Sequence, residues 1–203
     1  VINKKTIIYN MAALTSTKKA LRQEIKNILK NISLEERKKQ SINVFKKLCQ
    51  LKQYQNSKRI SLYLSTKDEI DTLPILKHIF NMEKEVFIPQ YHGKTMEMIK
   101  LKSMEDYETL PLTKWNIKQP SITESQENAL ETGGLDLVIL PGVAFTVNGK
   151  RLGHGMGYYD KYLKRCFQKD IKPYLIAVGF KEQIQEDVPV NENDVPVDIV
   201  LTG

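Results

Sequence analysis

The chain has 203 residues and a mass of 23.4 kDa, with 31 Lys and Arg against 24 Asp and Glu, so its formal net charge is +7. A composition of 41% hydrophobic and 27% charged residues suffices to close one core, which excludes intrinsic disorder and any need for a disulfide scaffold or an obligate metal. The charge is lopsided: residues 1–60 carry 15 basic residues and 3 acids, the remainder 16 basic residues and 21 acids. A basic N-terminal third suits nucleic acid, a membrane surface or a small polyanion as partner, or simply solvated helix faces.

Residues 1–10, VINKKTIIYN, precede Met11 and do not join the pattern after it, so residues 1–14 are expected to form a poorly ordered extension and residues 15–203 a single domain. From Thr15 to Lys30, Leu14, Leu21, Ile25, Ile28 and Leu29 recur at helical spacing and leave Lys18, Lys19, Arg22 and Lys26 elsewhere on the surface. Ser33 and Glu36 make a capping box that opens a second helix, carried by Leu34, Val44, Phe45, Leu48 and Leu51 to about Gln50. RISLYLS then reads as an alternating strand with Ile60, Leu62 and Leu64 on one face, followed by the acidic turn KDEID. A helix from Leu73 to Phe80 has Pro74 in its first turn, and strands EVFIP and EMIKL flank a Gly-containing turn. Residues 103–132 are polar and punctuated by Pro, with the only tryptophan, Trp115, in a long connection holding short helical pieces. LDLVILP, residues 135–141, is a continuous apolar run of the kind a central strand shows when buried on both faces. A Gly-rich loop, helix GYYDKYLKRCF, strand YLIAVGF and a closing strand DIVLT complete an α/β alternation that predicts a mostly parallel sheet with helices against it.

Cys49 and Cys166 form no CxxC and read as reduced core residues. No apolar run approaches the roughly 20 residues of a membrane span and no signal peptide is evident, so a reducing, cytoplasmic setting is expected. His78, His92 and His154 lack HxxxH spacing, and no GxSxG elbow occurs, which argues against a histidine metal site and that class of serine hydrolase.

The densest chemistry lies in NGKRLGHGMGYYD, residues 148–160. Gly149, Gly153, Gly155 and Gly157 follow a buried strand at the mouth of a helix, where backbone amides and the helix dipole suit an anion; a structural turn is the alternative. Lys150 and Arg151 add charge, with Arg suited to bidentate phosphate contact. GxxxxGK[ST] is absent and Tyr158 stands where the dinucleotide fingerprint needs its third Gly. A carboxylate beside a phosphate cradle would repel the ligand, so Asp160 makes sense as a Mg²⁺ ligand bridging phosphate oxygens. Asp194, in VPVNENDVPVD, is either a second metal carboxylate or an exposed turn residue. Asp68, Glu69 and Asp71 fall at the carboxyl edge of the predicted sheet, where parallel α/β sheets bind ligands; they suit a polar substrate group or a solvated turn. Trp115 and Tyr91 are suited to stacking on a flat heterocycle or to packing.

Taken together, KKALR (18–22), LSTKDEI (64–70), TKWNIKQP (113–120), GGLDLVILPGVAF (133–145), RLGHGMGYYD (151–160), FKEQI (180–184) and VPVNENDVPVD (188–198) resemble successive signatures of the 5-formyltetrahydrofolate cyclo-ligase family, from about Lys18 to Asp198. The resemblance implies a single Rossmann-like three-layer α/β domain with two N-terminal helices and an ATP- and Mg²⁺-dependent ring closure. In that family the formyl oxygen of 5-formyltetrahydrofolate attacks the γ-phosphate of ATP, nitrogen 10 attacks the resulting imidate phosphate, and phosphate leaves to give 5,10-methenyltetrahydrofolate and ADP. It also implies ATP contacts at Lys18, Lys19, Arg22 and the stretch Arg151, Leu152, Gly153, His154, Gly155, Met156, Gly157, Tyr158 and Tyr159. Mg²⁺ falls to Asp160 and Asp194. Folate falls to Leu64, Glu69 and Trp115, and to His154, Gly155, Met156, Gly157 and Tyr158. The chain departs from the family at Thr146, where an acid commonly follows PGVAF, and at the spacers His154 and Met156. Expected partners are ATP and 5-formyltetrahydrofolate, including polyglutamylated forms, with no nucleic acid, no membrane and a monomeric chain. Two other readings are a non-catalytic nucleic-acid-binding relative, for which no RNP-like segment is present, and a different phosphate-handling α/β enzyme, which would turn over without ATP.

Overall fold

A computed structural model describes the backbone of residues 4–113, 117–122 and 126–203, with side chains from residue 12 onward. Helix α1 spans Lys4–Lys30. It begins well before Thr15, because residues 4–30 contain no Pro or Gly to stop a helix already favoured by Ala12 and Ala13. Helix α2, Leu34–Gln50, starts as expected: the Ser33 side chain accepts a hydrogen bond from the Glu36 amide at 3.1 Å. A single-turn helix α3, Lys52–Asn56, leads into strand β1, Arg59–Leu62. Then follow α4 (Leu73–Asn81, Pro near its start), β2 (Glu85–His92), β3 (Thr95–Leu101) and the short α5 (Met104–Thr109). The remainder contains β4 (Leu137–Leu140), the two-residue strands β5 (Ala144–Phe145) and β6 (Arg151–Leu152), α6 (Tyr158–Gln168), β7 (Tyr174–Gly179), a 3-10 turn at Lys181–Gln183 and β8 (Ile199–Thr202).

Six strands form one sheet in the order β3-β2-β1-β4-β7-β8. Every neighbouring pair is parallel except β2 and β3, an antiparallel hairpin at one edge. Helix α4 packs on β2, α6 on β3 and α2 on β8, which makes the mostly parallel, helix-flanked α/β architecture expected. β4 is buried along its whole length, as its apolar run requires. β1 differs from the alternating strand expected. Ser61 and Tyr63 are as buried as Ile60 and Leu62, because β1 is an interior strand paired on both sides. Their polar atoms are satisfied internally: Ser61 Oγ donates to Met98 Sδ at 3.0 Å and Tyr63 Oη to the Ile70 carbonyl at 3.3 Å.

A second, smaller apolar cluster fixes α1. Ile25 packs with Val143, Ala144, Leu152 and Val188, flanked by Leu21, Ile28 and Leu29, so the predicted apolar face of α1 lies on the β5–β6 ribbon. Arg22 is thereby held beside the loop that follows β6, and Lys18 beside Asp194. Among the described residues no helix is long and apolar enough to cross a membrane. Both cysteines are free, Cys166 buried and Cys49 half-buried.

Phe145 is fully buried between Gly142 and Gly179, where an added Cβ would stand 2.6 and 2.7 Å from its ring. Those two glycines at the carboxyl ends of β4 and β7 make room for one large ring under the site. Phe145→Ala is expected to lower stability by about 3–5 kcal/mol, measured as a drop in the urea midpoint at unchanged slope.

Candidate functional site

β1 and β4 lie side by side, yet the chain leaves β1 toward β2 and β4 toward β7. Their carboxyl ends therefore open a crevice, the position where sheets of this order bind ligands. The 63–71 segment closes one side. Glu69 is anchored there by Thr66, whose amide and hydroxyl both donate to Glu69 Oε2, at 2.8 and 3.0 Å. The other Glu69 oxygen faces His154 Nε2 at 3.6 Å across the crevice. Leu64 is half-buried beside it, whereas Asp68 and Asp71 are exposed. Of the three acids in KDEID, Glu69 is thus the one brought to the glycine loop.

The loop itself is short and shaped by backbone torsions. Gly155 and Gly157 have φ of +116° and +65°, values that side chains disfavour, and Gly157 caps α6 without a side-chain hydrogen bond. The first-turn amides of α6 thus remain available at a positive helix end. From α1, Arg22 Nε donates to the Gly153 carbonyl at 2.8 Å, and its guanidinium carbon stands 3.7 Å from where a Gly155 Cβ would be. Burial lowers the Arg22 pKa and the nearby Asp194 carboxylate raises it in part; the group remains a cation. Lys19 is exposed one step away, on a shallow 420 Å³ depression shared with Ser16, Gln23 and Lys26.

Two carboxylates back the loop. Asp160, in the first turn of α6, accepts at Oδ1 from Arg151 Nη2 and from the Val195 amide, each at 3.0 Å. Asp194 Oδ2 accepts from Lys18 Nζ at 2.5 Å and from the Asn191 amide at 2.6 Å. Since Val195 follows Asp194 in the chain, the turn that carries Asp194 also bonds Asp160 on α6. Each keeps its second oxygen clear of hydrogen bonds to the described residues. The Arg151 pairing gives a local reason for an acid beside an anion cradle: the charge of Asp160 is already balanced from below.

Several expected site residues occupy supporting positions. The Leu152 side chain is part of the apolar cluster under α1, and Tyr159 is buried beneath the loop, its hydroxyl pKa raised by burial and by Tyr91, Glu69 and Tyr63 nearby. Lys150 pairs with Asp187 at 2.6 Å rather than joining the cradle. His154 and Met156 are exposed at the crevice mouth. Thr146 is a buried turn residue: its hydroxyl accepts from the Lys150 amide and donates to Asn148 Oδ1, closing the β5–β6 hairpin. Gly149, at φ +92° with Val197 O 2.2 Å from an added Cβ, likewise serves packing. Trp115 lies outside the described residues.

Other contributors carry little sequence signal. Gln183 is buried; its Nε2 donates to the Gly142 and Val143 carbonyls and its Oε1 accepts from the Phe180 amide, tying the β4 loop to the β7 loop. Tyr91 and Tyr158 meet with ring centroids 4.9 Å apart, and Tyr158 Oη donates to the Gly93 carbonyl at 2.8 Å, binding α6 to the β2–β3 turn. Burial pushes the Tyr91 hydroxyl up to about 12. Thr66 was discoverable from its spacing to Glu69, the same three-residue step as Ser33 to Glu36.

A helix N-terminus, cations and carboxylates gathered at the switch point of a mostly parallel sheet are the arrangement of an α/β enzyme site. Residues 14–203 match the 5-formyltetrahydrofolate cyclo-ligase family. Mouse 5-formyltetrahydrofolate cyclo-ligase is 50% identical over 196 residues, spanning 94% of this chain and 97% of the mouse protein. The mitochondrial 5-formyltetrahydrofolate cyclo-ligase of Arabidopsis thaliana is 33% identical over 207 residues, spanning 91% and 73%. The solved structure of Aquifex aeolicus 5,10-methenyltetrahydrofolate synthetase aligns with a TM-score of 0.75 at 32% identity, covering 91% of this chain and 88% of that one. The chain belongs to the 5-formyltetrahydrofolate cyclo-ligase family, and the crevice between β1 and β4 is its candidate active site.

Tyr158→Phe removes the bond to Gly93 and leaves the ring pair with Tyr91 intact. It is expected to cost about 1 kcal/mol and to speed hydrogen exchange at the Gly93 and Lys94 amides.

Proposed function

We propose that the chain converts 5-formyltetrahydrofolate to 5,10-methenyltetrahydrofolate at the expense of ATP, with Mg²⁺. What carries the reading is Arg22 from α1 on the glycine loop at the N-terminus of α6, with Lys18 on Asp194 and the next residue's amide on Asp160. An anionic chain of phosphates finds cations on one side, free amides on another and two acids for its metal.

Ring closure needs a better leaving group than a formyl oxygen. That oxygen attacks the γ-phosphorus, ADP departs, and an imidate phosphate results. Nitrogen 10 then bonds to the formyl carbon, its proton passes to the departing phosphate or to water, and the carbon–oxygen bond breaks so that phosphate leaves with the oxygen. The chain contributes position and charge. Lys18, Lys19, Arg22 and the loop amides hold the phosphates. Glu69, its carboxylate fixed by Thr66, receives the polar atoms of the folate near the reacting nitrogens. Leu64 and the stretch 154–158 line the rest, with Trp115 as an aromatic platform.

The acids fit Mg²⁺. Among the described residues no third His, Cys, Asp or Glu joins them, and Mg²⁺ is commonly held by one or two carboxylates with phosphate oxygens and water completing its shell. When bound there it supplies positive charge to the phosphoryl oxygens in transfer. The exposed basic residues of α1, Lys19 and Lys26, add attraction for anionic substrates, polyglutamylated folate among them.

Purified protein given 5-formyltetrahydrofolate and MgATP is expected to develop the near-ultraviolet absorbance of methenyltetrahydrofolate, and none without ATP; turnover without ATP would indicate a different phosphate-handling reaction. Arg22→Ala, losing a charged contact, should raise the KM for ATP by roughly tenfold or more and leave the folate KM near its original value. Asp160→Asn should raise the Mg²⁺ concentration for half-maximal rate by at least about tenfold, and an unchanged Mg²⁺ titration would remove Asp160 from the metal site.

A further inference from the structure

Arg151 stands in the glycine-loop signature, and by residue type it is suited to grip a phosphate. Its surroundings assign it other work. The side chain is 3% exposed. Nη2 donates to Asp160 Oδ1 at 3.0 Å, Nη1 to the Pro141 carbonyl at 3.3 Å, and Nε is buried without a partner among the described residues. Gly153 roofs the group: a Cβ there would sit 3.1 Å from Nη1. The Tyr159 ring closes another side, its centroid 5.8 Å from the guanidinium carbon, and a Cβ on Gly142 would stand 3.2 Å from Cγ. Arg22, by contrast, reaches the loop from α1 with its fork against Gly153 and Gly155. Arg151 is thus almost wholly shut from solvent beside the Gly153 backbone, which Arg22 holds in place.

We propose that Arg151 is a positioning residue: it fixes the Asp160 carboxylate for the metal and makes no contact with the nucleotide. The proposal rests on the reading of Asp160 as a Mg²⁺ ligand. Arg151 and the Val195 amide converge on one oxygen, Oδ1, from two different segments. Two donors on one oxygen set the plane of the carboxylate and leave Oδ2 as the oxygen to offer. Arg151 is itself held by the Pro141 carbonyl at the carboxyl end of β4, so the metal ligand is referenced to the sheet. A lysine keeps the charge but cannot span Asp160 and Pro141 together.

The test uses Arg151→Lys, with Mn²⁺ as the metal probe and a non-hydrolysable ATP analogue. Mn²⁺ binding is read by electron paramagnetic resonance in the presence of the analogue, and analogue binding is read separately in EDTA. The expected result is Mn²⁺ affinity weakened roughly 10- to 100-fold and metal-free analogue affinity unchanged within about twofold. Equal loss in both titrations, loss in the metal-free titration alone, or wild-type behaviour in both would overturn the proposal. Wild-type protein that binds no Mn²⁺ with the analogue would remove the metal reading itself, an outcome distinct from a variant that binds as wild type does. If Arg151→Lys fails to fold, the wild-type ternary complex decides by crystallography. Arg151 still on Asp160, with every phosphate oxygen beyond ~3.5 Å of the guanidinium, supports the assignment; a phosphate oxygen on it overturns it.

Discussion

The site depends on one constraint, the adjacency of two parallel strands whose outgoing chains diverge. β1 and β4 are hydrogen-bonded neighbours, and the crossovers that follow them travel to opposite halves of the sheet. Nothing can fill the gap above their carboxyl ends by continuing a strand, so loops must border it. The loops that do so come from distant parts of the chain, and they rest on buried residues such as Ile70, Val143, Val188 and Val195. Their order comes from polar ties to the framework.

Those ties follow a common pattern in which a side chain satisfies backbone groups near a functional residue. Thr66 hydrogen-bonds Glu69, the Asn191 amide bonds Asp194, and Gln183 spans the loops after β4 and β7. Each bond contributes modestly to stability. Together they fix rotamers in the free protein, so less ordering is left for the moment of binding. α1 enters by a different route, since its seat is apolar. Ile25 and its neighbours grip the β5–β6 ribbon, and the basic residues one turn away are carried to the glycine loop by that grip.

Much of this was legible in the linear chain, for physical reasons that differ by element. LDLVILP declared a doubly buried strand because every position after Asp136 is apolar, and the glycines at 153, 155 and 157 marked a backbone that must turn sharply beside a helix. β1 was harder, since Ser61 and Tyr63 look like solvent-facing positions until Met98 and the Ile70 carbonyl arrive from elsewhere to satisfy them. Arg151 showed the same limit in sharper form. The residue type fits a surface phosphate contact and a buried bracket equally well, and its burial beside Gly153, Tyr159 and Pro141 is written nowhere in the local sequence. The acids at 160 and 194 could be named separately, but their common location rests on a hydrogen bond between an amide in one loop and a carboxylate on a helix. Lys18 and Asp194 are 176 positions apart, and no local pattern encodes that distance.

That separation bears on how the molecule is made. α1 leaves the ribosome 176 positions ahead of the turn that receives Lys18. The loop that receives Arg22 follows its partner by 131 positions. Contacts between such remote segments close large loops and form late. A nascent chain therefore carries its basic helix unmatched for well over a hundred residues, and both the apolar face of that helix and its cations wait for residues 143–194. Arrival of the turn at Asp194, more than formation of any one element, is the event that assembles the site.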